Sequence, residues 1–370
     1  MLLRWIAMHV QLLIDSGEFW SALEQDIRTA RQYIYIQTLS FEGDRTGERL
    51  GEVLLSHPVP DRRLLVDNYT RLILSDRLLF APHNLLNRPL QREHRNTYRL
   101  IRRLRRGGVR VRFGGPLGKF FHRLPARDHK KLIVIDDHIA YIGGINFSDH
   151  NFEWHDMMIR FQHSGMAHFL KTDFLATWQG RPRYRDAHFE KVQLFCLDGR
   201  ANERVFQQLM QYLSRARERV IVHSPYLMDP VLHVLTRLSR RGLRVVIITP
   251  EYNNRRFLKH YIQRRAAEAG LELHFYQPRM SHLKAILIDS HHLIVGSSNF
   301  DYWSYRIHPE IVAIISLPTF IQEFEERVVQ TDLAQSRPFS PSTDSRNGHW
   351  GDLSFRLIRF SADICKRWMG

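Results

Sequence analysis

His129-Lys130-Lys131-Leu132-Ile133-Val134-Ile135-Asp136, followed by Gly143-Gly144-Ile145-Asn146, occurs a second time. The second copy is His282-Leu283-Lys284-Ala285-Ile286-Leu287-Ile288-Asp289, followed by Gly296-Ser297-Ser298-Asn299. In both, His and Lys are two apart, Asp stands five after the Lys and Asn ten after the Asp. Alternate residues of an extended chain share a face, so His129 projects with Lys131, and His282 with Lys284. The apolar runs that follow drive each strand into a core. The glycines are expected to let the next turn pass close to a ligand, with Asn146, Asn299 and Ser297 as neutral donors there.

The duplication extends outward from the motifs. Tyr33–Leu39 aligns with 220–226, Arg63–Asp67 with 244–248, and Gly108–Phe113 with 270–275, all short apolar runs that read as buried strands. Helix-like segments precede them, for instance 19–32 and 231–241. Alternating helices and strands predict an α/β fold of βα units around mostly parallel sheets covered on both faces. Residues 1–180 form the first half and 181–335 the second, joined near Gly180-Arg181-Pro182-Arg183. A Ser-, Pro- and Gly-rich linker from Ser336 then leads to a basic C-terminal helix.

A net charge of +16 over 370 residues calls for an anionic partner, which nucleic-acid phosphates and anionic lipid headgroups supply equally well. The charge is clustered. An insertion over 68–107 carries Arg95, Arg99, Arg102 and Arg106 at helical spacing, either a solvated face or a lipid- or nucleic-acid-facing stripe. Near the C-terminus Leu357, Phe360, Ile364, Cys365 and Trp368 share a face, with Arg356, Arg359, Lys366 and Arg367 largely opposite. That pattern suits an interfacial membrane helix, and packing onto the protein's own core would also produce it. The apolar start, Met1 to Ile14, is too short to span a bilayer, and Val10–Ile14 reads as the first strand. The chain is therefore expected to be cytoplasmic and peripheral to the membrane. Two cysteines give no disulfide framework.

Two lysines and two amides around a phosphodiester would stabilise the charge on its nonbridging oxygens in the transition state. One imidazole can attack phosphorus while the other protonates the departing oxygen, if the two face each other across one phosphorus atom. Asp156, 27 residues after His129, and Glu310, 28 after His282, are candidates to orient the rings, each serving its own or the opposite half. Asp136 and Asp289 complete the motif but end buried-looking strands, which suits bonding to nearby backbone. A lysine two residues from each His argues against a metal at the motifs.

These residues resemble the phospholipase D superfamily, defined by His-x-Lys-x4-Asp followed by Gly-Gly/Ser-x-Asn, over about residues 10 to 330. Phe41–Gly47, Trp154-His155-Asp156 and Val295–Asp301 are similar to bacterial cardiolipin synthases of the short type without N-terminal membrane spans. The resemblance implies an α/β fold of two similar α/β/α sandwich domains forming an intramolecular pseudo-dimer with one active site at their interface, in which a monomer suffices. It implies metal-independent phosphatidyl transfer without cofactor, from phosphatidylglycerol to a lipid hydroxyl through a covalent phosphohistidine. His129 would be the nucleophile and His282 the acid/base, with Lys131, Lys284, Asp136 and Asp289 in the catalytic motif. A hydrolytic phospholipase D and a nuclease of the same superfamily are the alternatives. The chain departs from the family pattern at Trp303, where many members have Arg, and at His308, where they have Asn. Both positions bear on headgroup selectivity.

Overall fold

The computed structural model describes residues 8–118, 122–340 and 348–369, with the backbone alone over 348–353. The strands in chain order are β1 (His9–Ile14), β2 (Tyr33–Thr38), β3 (Asp61–Asp67), β4 (Ile73–Leu74), β5 (Arg77–Leu78), β6 (Arg110–Gly114), β7 (Leu132–Ile135), β8 (Ile139–Gly143) and β9 (Met157–Gln162). They continue as β10 (Arg185–Phe189), β11 (Val192–Cys196), β12 (Arg219–His223), β13 (Arg244–Pro250), β14 (Glu272–Tyr276), β15 (Ala285–Ile288), β16 (His292–Gly296), β17 (Ile311–Ile315) and β18 (Ser336–Pro338).

The first sheet has the order β1-β9-β8-β7-β2-β3-β6, and the second β10-β11-β17-β16-β15-β12-β13-β14-β18. Six strands repeat in the same order: β9-β8-β7-β2-β3-β6 corresponds to β17-β16-β15-β12-β13-β14. The register repeats as well, with Ile34 opposite Ile135 and Val220 opposite Ile288. The sheets are mixed, which corrects the expectation of mostly parallel ones. Strands β2, β3 and β6, like β12, β13 and β14, are parallel, whereas the motif strands β7 and β15 run antiparallel to both neighbours. A connection as short as Asp136–His138 or Asp289–His291 can join only antiparallel strands.

Those turns also explain Asp136 and Asp289. Both adopt a left-handed backbone, φ 51° and 50°. The Asp136 carboxylate accepts the N–H groups of Arg31, Gln32 and Tyr33 at 2.8–3.0 Å, and Asp289 those of Arg217, Glu218 and Arg219 at 2.7–2.9 Å. Each side chain is committed to backbone at the start of the neighbouring strand. Their place in the catalytic set is corrected to a structural one, as their strand-end position suggested.

In the first unit Ile34, Ile36, Leu64, Val66, Ile133 and Ile135 share a core with Phe19, Leu23 and Ile27 of helix Asp15–Thr29. Leu100, Ile101 and Leu104 of helix Arg88–Arg106 join them. On the other face Tyr35 stacks on Phe174 of helix Ser164–Trp178, centroids 4.9 Å apart. In the second unit Val220, Val222, Ile247 and Ile286 pack with Leu232 and Leu235 of helix Val231–Arg240 and with Leu258 and Ile262 of helix Arg256–Ala269. His223 meets Phe324 of helix Pro318–Phe324 on the opposite face.

The chain divides into two compact units. The first comprises the chain up to Pro116, Arg127–Glu153 and Met157–Arg183. The second comprises Leu117–Ala126, Trp154–Asp156 and the chain from Tyr184 onward. Ser336–Pro338, read as linker, is instead an edge strand paired with β14. Helix Gly348–Arg367 buries Ile358, Ala362 and Cys365 and exposes Leu357, Phe360 and Ile364; just beyond it Trp368 is exposed and Met369 buried. It therefore has two apolar faces, and Cys365 belongs to the inner one. Among the described residues no helix is long and apolar enough to cross a membrane.

Candidate active site

In the first unit the backbone entering β7 is fixed by Asp67 at the end of β3. Asp67 accepts from Arg127 Nη1 at 3.0 Å and from the Asp128 N–H at 2.8 Å. Burial pushes its carboxyl up to about 7, against the pull of Arg127. Gly115 closes on the same group at φ +62°, where a Cβ would lie 1.9 Å from Asp67 Oδ2. His129 and Lys131 are buried on this anchored approach, and Lys131 Nζ donates to the His129 carbonyl at 2.9 Å. Lys130, between them, turns to the opposite side and pairs with Asp173 at 2.7 Å, both side chains 0% exposed. Asn146 accepts through Oδ1 from Thr38 Oγ1 at 3.1 Å and from the Ser40 N–H at 3.4 Å, which leaves its NH2 as the donor end.

The second unit builds the second motif. Lys284 Nζ donates to the His282 carbonyl, as Lys131 does to that of His129. His282 Nδ1 lies 2.7 Å from Asp156 Oδ2 and 2.9 Å from Lys284 Nζ. One ring nitrogen cannot donate to Asp156 and accept from Lys284 together. The short contact to a carboxylate puts the proton on Nδ1, directed at Asp156. Burial pulls the Lys284 ammonium down to about 8, against the carboxylates of Asp156, Glu310 and Asp301.

Asp156 reaches His282 because Trp154–Asp156 is part of this unit. The His155 N–H donates to the Met280 carbonyl at 2.8 Å, and the His282 N–H to the His155 carbonyl at 2.7 Å. Trp154 packs against the His282 ring, centroids 4.9 Å apart. His155 Nε2 lies 3.1 Å from Asp332, and His223 Nε2 lies 3.2 Å from the same carboxylate. Against the upward push of burial, the two imidazoles hold Asp332 at about 2. The carboxylate after the first motif thus orients the histidine of the second.

Glu310 is buried and held within its own unit by Ser297 Oγ at 2.5 Å and Ser304 Oγ at 2.9 Å. Ser297 also accepts the Ile311 N–H at 2.9 Å. Its expected place among the phosphate donors is corrected, because its hydroxyl is taken up by the protein. Asn299 is buried too, and its Oδ1 has no partner among the described residues. Gly143 and Gly296 make room for the neighbouring strand. A Cβ at Gly143 would lie 2.4 Å from the Met157 carbonyl, and one at Gly296 2.1 Å from that of Ile311. Trp303 and His308 stack with centroids 6.4 Å apart, and His308 Nε2 donates to the Pro125 carbonyl at 2.8 Å.

Sequence reasoning missed Asp67, Asp173, His223 and Asp332. A lysine inside an apolar run with no counterpart in the second copy was the available signal for the Lys130–Asp173 pair. Nothing in the sequence singled out Asp332. Away from the motifs, Glu42, Asp44 and Glu93 form an acidic cluster in the first unit. There burial and the neighbouring Glu93 push Glu42 up to about 10, so it keeps a proton that the two carboxyls can share.

The sequence model of the family described as "Cardiolipin synthase, PLD-like domain" matches residues 23–178 and 209–331. The chain is 24% identical to the cardiolipin synthase of Listeria welshimeri serovar 6b, over 96% of this chain and 75% of that protein. It is also 24% identical to cardiolipin synthase A of Pseudomonas aeruginosa, over 96% of this chain and 73% of that one. In fold it is similar to the crystal structure of phosphatidylserine synthase from Haemophilus influenzae Rd KW20. The TM-score is 0.69 at 16% identity, covering 96% of this chain and 95% of that one.

Proposed function

Because the chain belongs to the cardiolipin synthase family of PLD-like proteins, we propose that it is a phosphatidyltransferase making cardiolipin or a close analogue from phosphatidylglycerol. The observation that carries this reading is the His282 ring, held through Nδ1 by Asp156 beside a buried ammonium, in one of two copies of the motif. The relatives' names supply the substrate class.

In the proposed cycle a ring nitrogen of His129 attacks the phosphorus of one phosphatidylglycerol. The P–O bond to the headgroup glycerol breaks, and His282 Nε2–H protonates the leaving oxygen. The headgroup hydroxyl of a second phosphatidylglycerol then gives its proton to His282 and attacks phosphorus. The P–N bond breaks and cardiolipin is released, with glycerol as the other product. Lys131, Lys284, Asn146 and Asn299 stabilise the nonbridging oxygens. The cycle needs no metal, so EDTA leaves turnover unchanged; restoration by zinc after chelation would count against it.

The outward face Leu357, Phe360, Ile364 and Trp368, beside exposed Arg356 and Arg359, supports peripheral association with an anionic membrane. Removing the helix would uncover the core, so the test is Leu357→Ser/Phe360→Ser, read by cosedimentation with phosphatidylglycerol vesicles. Incubation with labelled phosphatidylglycerol, and separately with duplex DNA, tests the whole reading. Labelled cardiolipin and free glycerol are expected. Phosphatidic acid as the main product would make the protein a hydrolase, and cleaved DNA a nuclease.

A further inference from the structure

The insertion between β3 and β6 carries a surface that the proposed chemistry does not use. Between Arg71 and Arg106 ten arginines face two carboxylates, Asp76 and Glu93, leaving +8, half of the chain's net charge. Helix Arg88–Arg106 is fixed to the first unit by Leu90, Thr97, Leu100, Ile101 and Leu104. Thr97 accepts the Gly43 N–H at 2.8 Å, and a Cβ at Gly43 would lie 2.2 Å from the Thr97 nitrogen. With the helix held that closely, Arg88, Arg92, Arg95, Arg99, Arg102 and Arg106 are all exposed, and none has a carboxylate partner among the described residues. Arg103 and Arg105, off this stripe, are engaged by Glu48 and by the Val111 carbonyl.

The segment immediately before the helix has its polarity reversed. Leu78, Phe80, Leu85 and Leu86 are exposed, Phe80 by 59% and Leu86 by 88%, four large apolar side chains within nine residues. Beneath them, amides do the holding. Asn84 Nδ2 donates to the Leu78 carbonyl at 2.9 Å, and Gln91 Nε2 to the Asn84 carbonyl at 3.1 Å. Asn87 caps the helix through the Leu90 N–H at 3.2 Å, and Leu74, Leu79 and Leu90 make a small core of their own. A lone exposed leucine is ordinary, but a built tip that turns four apolar side chains outward is suited to an apolar medium.

We propose that this tip enters the acyl boundary of an anionic phospholipid bilayer while the arginine stripe beside it binds lipid phosphates. The inference rests on the lipid-transfer reading and adds to it the surface that brings the enzyme to its substrate. The stripe alone would suit nucleic acid as well. The apolar tip favours lipid, because three of its four side chains are leucines, which cannot stack on bases as an aromatic ring does.

The test compares the full-length protein with Phe80→Ser/Leu86→Ser and with Arg92→Ser/Arg95→Ser/Arg99→Ser. Binding is measured to vesicles of phosphatidylcholine with and without phosphatidylglycerol, and to duplex DNA. The stripe variant should lose about 100-fold in partition to anionic vesicles at low salt, from the attraction of each basic residue to the surface. The tip variant should lose roughly 10-fold or more, with little dependence on salt. Both should keep the wild-type circular dichroism spectrum and turn over dispersed short-chain phosphatidylglycerol within about twofold of wild type. Wild-type-like vesicle binding by both variants would overturn the proposal. So would a loss of DNA affinity with vesicle affinity intact. Wild-type protein that turns over dispersed substrate yet ignores anionic vesicles would overturn it and leave the chemistry standing. Absence of turnover in the wild type itself would instead strike the lipid-transfer reading.

Discussion

Next to His129 the buried layer contains a complete ion pair, Lys130 with Asp173, where the second half has Leu283. Next to His282 it contains a shared carboxylate, Asp332 between His155 and His223, where the first half has Gln37 in place of His223. The six-strand order, the Asp-capped turn and the lysine-to-carbonyl bond are the same in both copies. Duplication therefore preserved what holds the motif strand and changed what packs behind it. Only the second arrangement fastens the segment that carries Asp156 to a histidine 126 residues further on.

The largest effect belongs to the shared chemistry. His129→Ala and His282→Ala should each lower transfer by roughly 1,000-fold or more with unchanged thermal stability. Wild-type turnover in either purified variant would break the equivalence of the two copies. Asp156→Asn should follow with a loss of roughly 100-fold or more in kcat, because the amide no longer fixes the proton on His282 Nδ1.

The supporting layers separate the halves more finely. Lys130→Met should destabilise by about 3 kcal/mol in denaturant titration, since it strands a buried Asp173. Lys130→Met/Asp173→Leu should recover most of that loss, and failure to do so would assign Lys130 a role beyond the pair. Asp136→Ala should cost about 2 kcal/mol from three unmet backbone donors, and Asp289→Ala less, because its turn is more exposed. In both, the folded fraction should keep near-normal kcat; a 100-fold loss there would return these aspartates to the catalytic set. Below these stands the pH response. Lys284 gives up its proton near pH 8 in the unliganded protein, so kcat/KM should decline above about pH 8. In Lys284→Arg that limb should vanish.

Much of this was legible in the sequence because buried strands write themselves as apolar runs. The repeat, the strands around it and both histidine–lysine pairs followed from spacing alone. The antiparallel direction of β7 and β15 was hidden, since Asp136 and Asp289 drew attention as chemistry when their carboxylates were closing turns. The partner of His282 was hidden for a different reason: no local pattern tells which strand edge three residues, Trp154–Asp156, will join. The C-terminal helix misled through periodicity. Two apolar faces lie side by side, and Cys365 satisfied the spacing of the exposed one while packing in the other.

The most direct test of the account is to trap the covalent intermediate. Wild-type protein should be incubated briefly with labelled phosphatidylglycerol, quenched rapidly under conditions that preserve a phosphorus–nitrogen bond and mapped by mass spectrometry, with His129→Ala as the control. A phosphatidyl group on His129, present in the wild type and absent from the control, is the predicted result. A label on any other residue, or none while glycerol is released, would contradict the account.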